Sequence, residues 1–158
     1  MYNMPGDILD ALRATPGTLA GLLRGVSESQ ARLARGGDEH WSVIEVLCHL
    51  RDCEERAIER MRLMRDQSNP YLAPFDQDQW AAERDYASAR LQDTLDAYRA
   101  MRATHVRELE QLPPASWDRP GHHAEQGDIT LISHEHHIVS HDAIHMAQIA
   151  HQLNSLSS

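Results

Sequence analysis

Apolar positions recur at helical spacing in four stretches of the chain, and segments rich in Pro, Gly and polar residues separate them. The first stretch opens at Pro5 and Asp7, carries Ile8, Leu12, Leu19, Leu22 and Leu23, and ends near Arg24–Gly25. Thr15-Pro16-Gly17 lies inside it; proline removes one backbone hydrogen bond, which predicts a kink rather than two separate elements. Ser27-Glu28-Ser29-Gln30 reads as a short capped turn, and Arg35 to His40 as a loop. The second helix spans Trp41 to about Gln67, with Ser42 as N-cap and Glu45 at capping-box spacing. Val43, Leu47, Leu50, Ala57, Met61 and Met64 form its apolar arc, and Ser68 to Pro74 ends it. Residues 75–86 form a link with a helical turn around Gln79–Glu83. A third helix runs from about Ser88 to Leu112, with Leu91, Leu95, Tyr98, Met101, His105, Val106 and Leu109 in phase, and Pro113-Pro114 stops it. Residues 114–127 read as a loop containing Trp117, His122 and His123. The fourth helix, Thr130 to Leu153, has no Gly or Pro, and Asp128 or Thr130 can cap it. This pattern predicts an all-α fold, a four-helix bundle with short helical turns in its connections, forming a single domain over residues 1–158.

Composition narrows the function. The formal net charge is −9 and every basic residue is arginine, so a nucleic-acid surface is disfavoured and lysine chemistry is excluded. Cys48 and Cys53, five apart on one helix, point about 140° away from each other and cannot bridge locally. They read as small core residues in a reducing compartment. The segment from Met1 to Gly17 lacks a basic stretch followed by a long apolar run, and nothing approaches a membrane span. The expectation is a cytoplasmic protein without membrane or nucleic-acid partners.

Six of the eleven histidines lie on the fourth helix. At about 100° per residue, His134, His141 and His145 share the arc of Leu131, Ile138 and Ile149, whereas His136 and His151 fall opposite. His141 and His145 are four residues apart, so their imidazoles can converge on one ion. H-x-x-x-H is common by chance, but unpartnered imidazoles are costly to bury, and a pair on the apolar arc favours a metal. A third ligand must come from elsewhere: His40, His49, His105, His122, His123, His134 or a carboxylate. Hydropathy places His49 on the polar side of its helix, among Glu45, Asp52 and Arg56.

The run Trp41-Ser42-x-x-Glu45-Val46-Leu47-x-His49-Leu50-x-Asp52-x-Glu54, followed far downstream by His141-Asp142-x-x-His145-x-x-Gln148-Ile149, resembles the DinB-like (DNA-damage-inducible) metalloprotein superfamily. Thr15-Pro16-x-x-Leu19 fits as well, and the resemblance covers essentially the whole chain. It implies an up-down-down-up bundle that holds a divalent ion (Zn, Ni, Fe or Mn) on His49, His141 and His145. It also implies that the strip around His49 faces a cavity. Three imidazoles leave a coordination position open for water or substrate, and their neutrality favours an anionic ligand. By spacing, Asp52, Asp142 and Gln148 are candidates to orient the imidazoles.

Proteins similar to this one include bacillithiol S-transferases and mycothiol-dependent isomerases. The resemblance therefore implies a thiol S-transferase that uses a low-molecular-weight thiol against a small-molecule electrophile, entering between the helix ends and the loops at 68–86 and 113–127. It also implies a homodimer. The alternative is a non-catalytic metal-binding stress-response bundle, with His134 or Asp142 closing the coordination sphere. A zinc-peptidase reading is weak, because His141-Asp142-Ala143-Ile144-His145 carries Asp where that motif needs the longer Glu.

Overall fold

The computed structural model describes residues 5–156. Residues 1–4, on which part of the expectation of a leaderless start rests, and 157–158 lie outside the described residues. Four long helices build the fold: α1 (Pro5–Leu22), α3 (Val43–Asp66), α5 (Leu91–Glu110) and α6 (Leu131–Ser155). Two short ones, α2 (Glu28–Leu33) and α4 (Gln77–Glu83), lie in the connections. α1 runs unbroken through Pro16. Local chemistry sets the starts: Ser27, Ser42 and Thr130 each form a reciprocal capping box with the residue three positions on, Gln30, Glu45 and Ser133. No helix among the described residues is long and apolar enough to cross a membrane.

Direction follows from what touches what. Cys48 meets Thr94, Glu54 meets Arg102 and Arg62 meets Glu108, so α3 and α5 run parallel. His49 meets His141, and the Trp41 carbonyl accepts from Gln152, so α6 runs antiparallel to α3. One apolar layer joins Leu19 and Leu23 of α1 and its exit to Leu91 and Leu95; the other joins Ile8 and Leu12 to Val106 and Leu109. α1 is therefore antiparallel to α5, and the bundle is up-down-down-up. A parallel α3–α5 pair needs the long crossover through residues 67–90.

The connections hold strands that the sequence pattern does not reveal. β1 (Arg35–Gly36) pairs antiparallel with β2 (Trp41–Ser42). β4 (Pro120–His123) and β5 (Gly127–Thr130) form a hairpin, which β3 (Tyr71–Leu72) extends in parallel. Residues 114–127 were expected as loop, and the part from Pro120 onward lacks apolar alternation. That part pairs because the hairpin packs on the bundle at Gly121, where an added Cβ would lie 3.1 Å from Met64 and 3.2 Å from Leu72. The hairpin carries His123 to the bundle wall.

Between the two apolar layers lies a buried ionic layer. Arg102, with its side chain 2% exposed, donates to both Glu54 oxygens (2.9 and 2.8 Å), to Asp142 (2.8 and 3.2 Å) and to the Leu12 carbonyl (3.1 Å). Thr15 Oγ1 donates to Asp142 at 3.1 Å. His105 sits between Glu54 at 2.7 Å and the Glu135 carboxylate at 3.2 Å. Burial alone would push the His105 imidazole down, but Glu135 and Glu54 outweigh it and raise it to about 10. Through Asp142 and Glu135 this layer ties α6 to α1, α3 and α5 and sets its rotation about its own axis. With Asp142 turned inward, the adjacent His141 faces α3.

Candidate metal centre

α3 and α6 bring three imidazoles together. His49 Nε2 lies 3.1 Å from His141 Nε2, and the ring centroids of His49, His141 and His145 are 4.4 to 5.1 Å apart. Burial is the main reason that His49 and His141 are held neutral, at about 4 and about 3, with His145 adding to it in both cases. Neutral imidazoles offer lone pairs, which is the protonation state a metal ligand needs. His145 Nδ1 donates to Gln148 Oε1 at 2.8 Å, which leaves its Nε2 lone pair free. The loop before α3 abuts this pair: Gly37 has φ +76° and a Cβ there would lie 2.8 Å from Gln148 Nε2. A side chain at Gly37 would be strained and would displace Gln148.

A fourth donor stands beside them. Cys53 Sγ is 3.5 Å from His49 Nε2 and 3.9 Å from His141 Nε2, and one donor atom each from His49, Cys53 and His141 lies within 4.8 Å of the others. Burial pushes the Cys53 thiol up to about 12, so without an ion it stays protonated near neutrality. Sequence reasoning placed Cys53 in the core; the signal that could have found it is its i, i+4 spacing from His49, the same spacing that pairs His141 with His145. Cys48 and Cys53 are both free, and Cys48 faces Thr94 on the opposite side of α3.

His49 is 5% exposed, although its sequence neighbours read as a polar face. The N-terminal half of α3 is enclosed by α2, β2, α5, α6 and the 86–88 turn, so Val43 to Leu50 are buried on nearly all sides. A one-faced hydropathy rule cannot describe such a helix.

The other expected neighbours of the imidazoles point elsewhere. Asp52 accepts from Tyr86 (2.5 Å), Arg51 (2.9 Å) and Arg84 (2.9 Å) and does not line the cavity. Asp142 is engaged by Arg102 and Thr15, because one residue beyond His141 the helix has turned about 100° toward the core. His134 is buried against Glu135 at 3.1 Å and does not join the three imidazoles. Neither His134 nor Asp142 closes a coordination sphere, and no carboxylate among the described residues is hydrogen-bonded to the three rings.

The imidazoles open onto a cavity of about 590 Å³, bounded by α3, α6, residues 74–77 and residues 123–126. That volume lies within the range of small-molecule sites. The donor set fits a divalent ion: nitrogens of His49 and His141 lie together with the Cys53 sulfur, and the His145 ring, oriented by an amide, packs against both imidazoles.

The titrating groups give the metal-free protein a stability optimum near the ordinary histidine pKa of about 6.5. His105, raised in the folded chain, adds stability that is complete below that value and lost as pH rises through about 10. His49 and His141, lowered in the folded chain, cost stability as pH falls from that value toward about 4 and about 3. Glu135, held at about 2 by His105 against burial that would raise it, adds a further loss on strong acidification. Urea unfolding across this range should give a midpoint that falls on both sides. A midpoint still rising well above neutrality would show that His105 is not protonated between its two glutamates.

The family model described as DinB superfamily matches residues 11–149. A protein of Oceanobacillus iheyensis named "Putative metal-dependent hydrolase" is 28% identical over 109 residues, 69% of this chain and 63% of that protein. A protein of the same name from Geobacillus thermodenitrificans is 25% identical over 109 residues, 69% of this chain and 61% of that protein. The matched stretch thus spans less than two thirds of either relative. The structure of YfiT from Bacillus subtilis, described as "a probable metal-dependent hydrolase with an unusual four-helix bundle topology", superposes with a TM-score of 0.89 at 21% identity. It covers 99% of this chain and 90% of that one, a likeness of fold. With the family match spanning most of its length, the chain belongs to the DinB superfamily.

Proposed function

We propose that this protein is a metal-dependent enzyme that activates a nucleophile at His49, His141 and His145 and delivers it to an electrophile held in the adjoining cavity, with a low-molecular-weight thiol as the nucleophile. The observation that carries this is the convergence of three imidazoles at a cavity while every carboxylate on α3 and α6 beside them is engaged elsewhere. A divalent ion bound there supplies Lewis-acid chemistry, lowering the pKa of the water or thiol it meets. Thiols ionise far more easily than water and the thiolate is itself the nucleophile, so such a site needs no separate general base. The chain's own contribution is positional. Gln148 orients His145, the ionic layer holds α6 in phase, and Trp41, its ring centroid 5.2 Å from that of His49, covers one side of the rings.

Hydrolysis is the second reading, favoured by the names of the relatives and by Glu39. This exposed carboxylate lines the cavity and stands close to Gln148, each within reach of a Cβ built at Gly37. Water attack on an ester or amide needs a base, and Glu39 is placed to serve as one. The test is to load the full chain with zinc or nickel and follow two reactions: conjugation of bacillithiol, mycothiol or glutathione to monochlorobimane, and hydrolysis of nitrophenyl esters. We expect metal-dependent conjugation that Glu39→Gln leaves unchanged. Metal-dependent ester hydrolysis that Glu39→Gln abolishes, with no conjugation by any of the thiols, would replace the thiol reading with the hydrolase.

A further inference from the structure

We infer that the cavity wall formed by Arg56, Arg60 and Phe75 is a carboxylate-binding subsite that takes the anionic end of a substrate whose other end reaches the three imidazoles. Its role in catalysis rests on the metal-dependent reading above; the anion site itself does not.

α3 presents His49, Cys53, Arg56 and Arg60 along one stripe, at steps of four, three and four residues, and all four line the cavity. A guanidinium has five N–H donors. Arg60 uses one of them, to the Ala73 carbonyl at 2.8 Å, and Arg56 uses two, to Glu59 at 2.8 Å and the Pro74 carbonyl at 3.3 Å. The Nε atoms of both are buried without a partner. Unpaired donors in a half-buried guanidinium are costly unless a ligand engages them.

The charge is also uncompensated. Arg51, Arg65, Arg84 and Arg102 each reach a carboxylate, whereas Arg60 has no ion pair among the described residues. Instead it faces its like-charged neighbour Arg56. Burial and then Arg56 push its pKa down, against weaker opposing effects from Cys53, Glu125 and Glu59. In a chain of net charge −9, a cation left so exposed to repulsion needs an explanation, and a bound anion supplies one.

The arrangement is held ready. The Phe75 ring packs against both guanidinium groups, with its centroid 5.6 Å from the Arg56 carbon and 5.9 Å from the Arg60 carbon. The Ala73 and Pro74 carbonyls fix the same two side chains from the loop. A planar guanidinium with free N–H groups matches a carboxylate in the same plane.

The charge balance selects a monoanion. Glu59 meets Arg56, which leaves Arg60 as the cavity guanidinium without an ion pair among the described residues. Three further carboxylates line the cavity from exposed positions. Asp76 is committed to capping α4, Glu39 stands beside Gln148, and Glu125 acts electrostatically on Arg60. With Glu125 at hand, a dianionic phosphate would be disfavoured. Length follows from helix geometry. His49 and Arg60 are separated by about 16 Å along the axis, and an arginine side chain leans back toward the helix N-terminus, leaving on the order of 10 Å between anion and imidazoles. The fitting substrate class is an extended organic acid with its reacting atom at the end remote from the carboxylate.

Calorimetric titration of the full chain, metal-free and zinc-loaded, with octanoate and suberate tests this. In the metal-free protein octanoate should bind, and Arg60→Gln should weaken it at least about tenfold. Arg60→Lys, which keeps the charge but loses the planar fork, should bind octanoate more weakly than wild type and more tightly than Arg60→Gln, and inorganic phosphate should not displace octanoate. In the zinc-loaded protein suberate, with a carboxylate at each end, should bind about tenfold more tightly than octanoate, and Arg60→Gln should remove that preference. Octanoate binding that is absent, or equal in wild type and Arg60→Gln, would overturn the subsite. Displacement by phosphate would overturn the carboxylate class. If the chain takes up no zinc but the Arg60-dependent binding of octanoate persists, the subsite stands and the metal-dependent reading falls.

Discussion

His145→Ala should abolish stoichiometric binding of a divalent ion, whereas His151→Ala should leave it at the wild-type level. Both residues lie on α6, but His145 turns toward His49 and His141 while His151 is exposed. Removing one of three nitrogen donors should cost more than losing an outer partner, which typically costs about 10–100-fold in affinity. Gln148→Ala should therefore fall in that lesser range, since it releases the orientation of His145 and removes no ligand. Cys53→Ala separates the two donor sets that the site offers. If sulfur is the third ligand, Cys53→Ala loses the ion and His145→Ala keeps it. Elemental mass spectrometry after dialysis, on protein made without a His-tag, reads all four variants. Equal metal content in His145→Ala and His151→Ala would mean that His145 is not a ligand, and loss of the ion in Cys53→Ala would then give its place to the sulfur.

Arg102→Met should lower stability by about 3–5 kcal/mol, because it leaves Asp142 buried with only the Thr15 hydroxyl and Glu54 with only His105 in the bundle centre. For a chain of this size that corresponds to a fall in Tm of about 10 °C. Arg62→Ala provides the contrast. Arg62 also pairs with a carboxylate, Glu108, but its side chain is 46% exposed, and such pairs contribute about 1 kcal/mol or less. Thermal and urea unfolding of both variants read the difference. If the two cost the same, the ionic layer is not held as the distances imply. Because this layer also sets the rotation of α6, Arg102→Met should weaken metal binding without touching any of the donors.

The four long helices were legible because each carries an apolar arc with a period near 3.6 and ends at Pro or Gly, or begins at a capping residue. The pairing of His141 with His145 was legible for the same reason: on one helix, spacing dictates which side chains stand together. Contacts between helices are not encoded in any local period. Asp142 and Asp52 carry the spacing of orienting groups, yet Arg102 and Tyr86, distant in sequence, draw them to other partners. The hairpin at 120–130 was hidden because its pairing depends on a surface that other segments build. Cys53 passed as a core residue because a thiol is both a small apolar group and a ligand, and only its neighbours decide which.

From the sequence alone, then, come the helices, their caps, the pair of histidines on α6 and, through family resemblance, the position of His49. The tertiary structure decided that α3 is enclosed on nearly all sides, that an ionic layer and not an apolar one fills the bundle centre, and that Cys53, Arg56 and Arg60 face the same cavity as the imidazoles. The physical reason is that helix formation is governed by neighbours within a turn or two, whereas burial and charge pairing depend on groups that meet only when the helices pack.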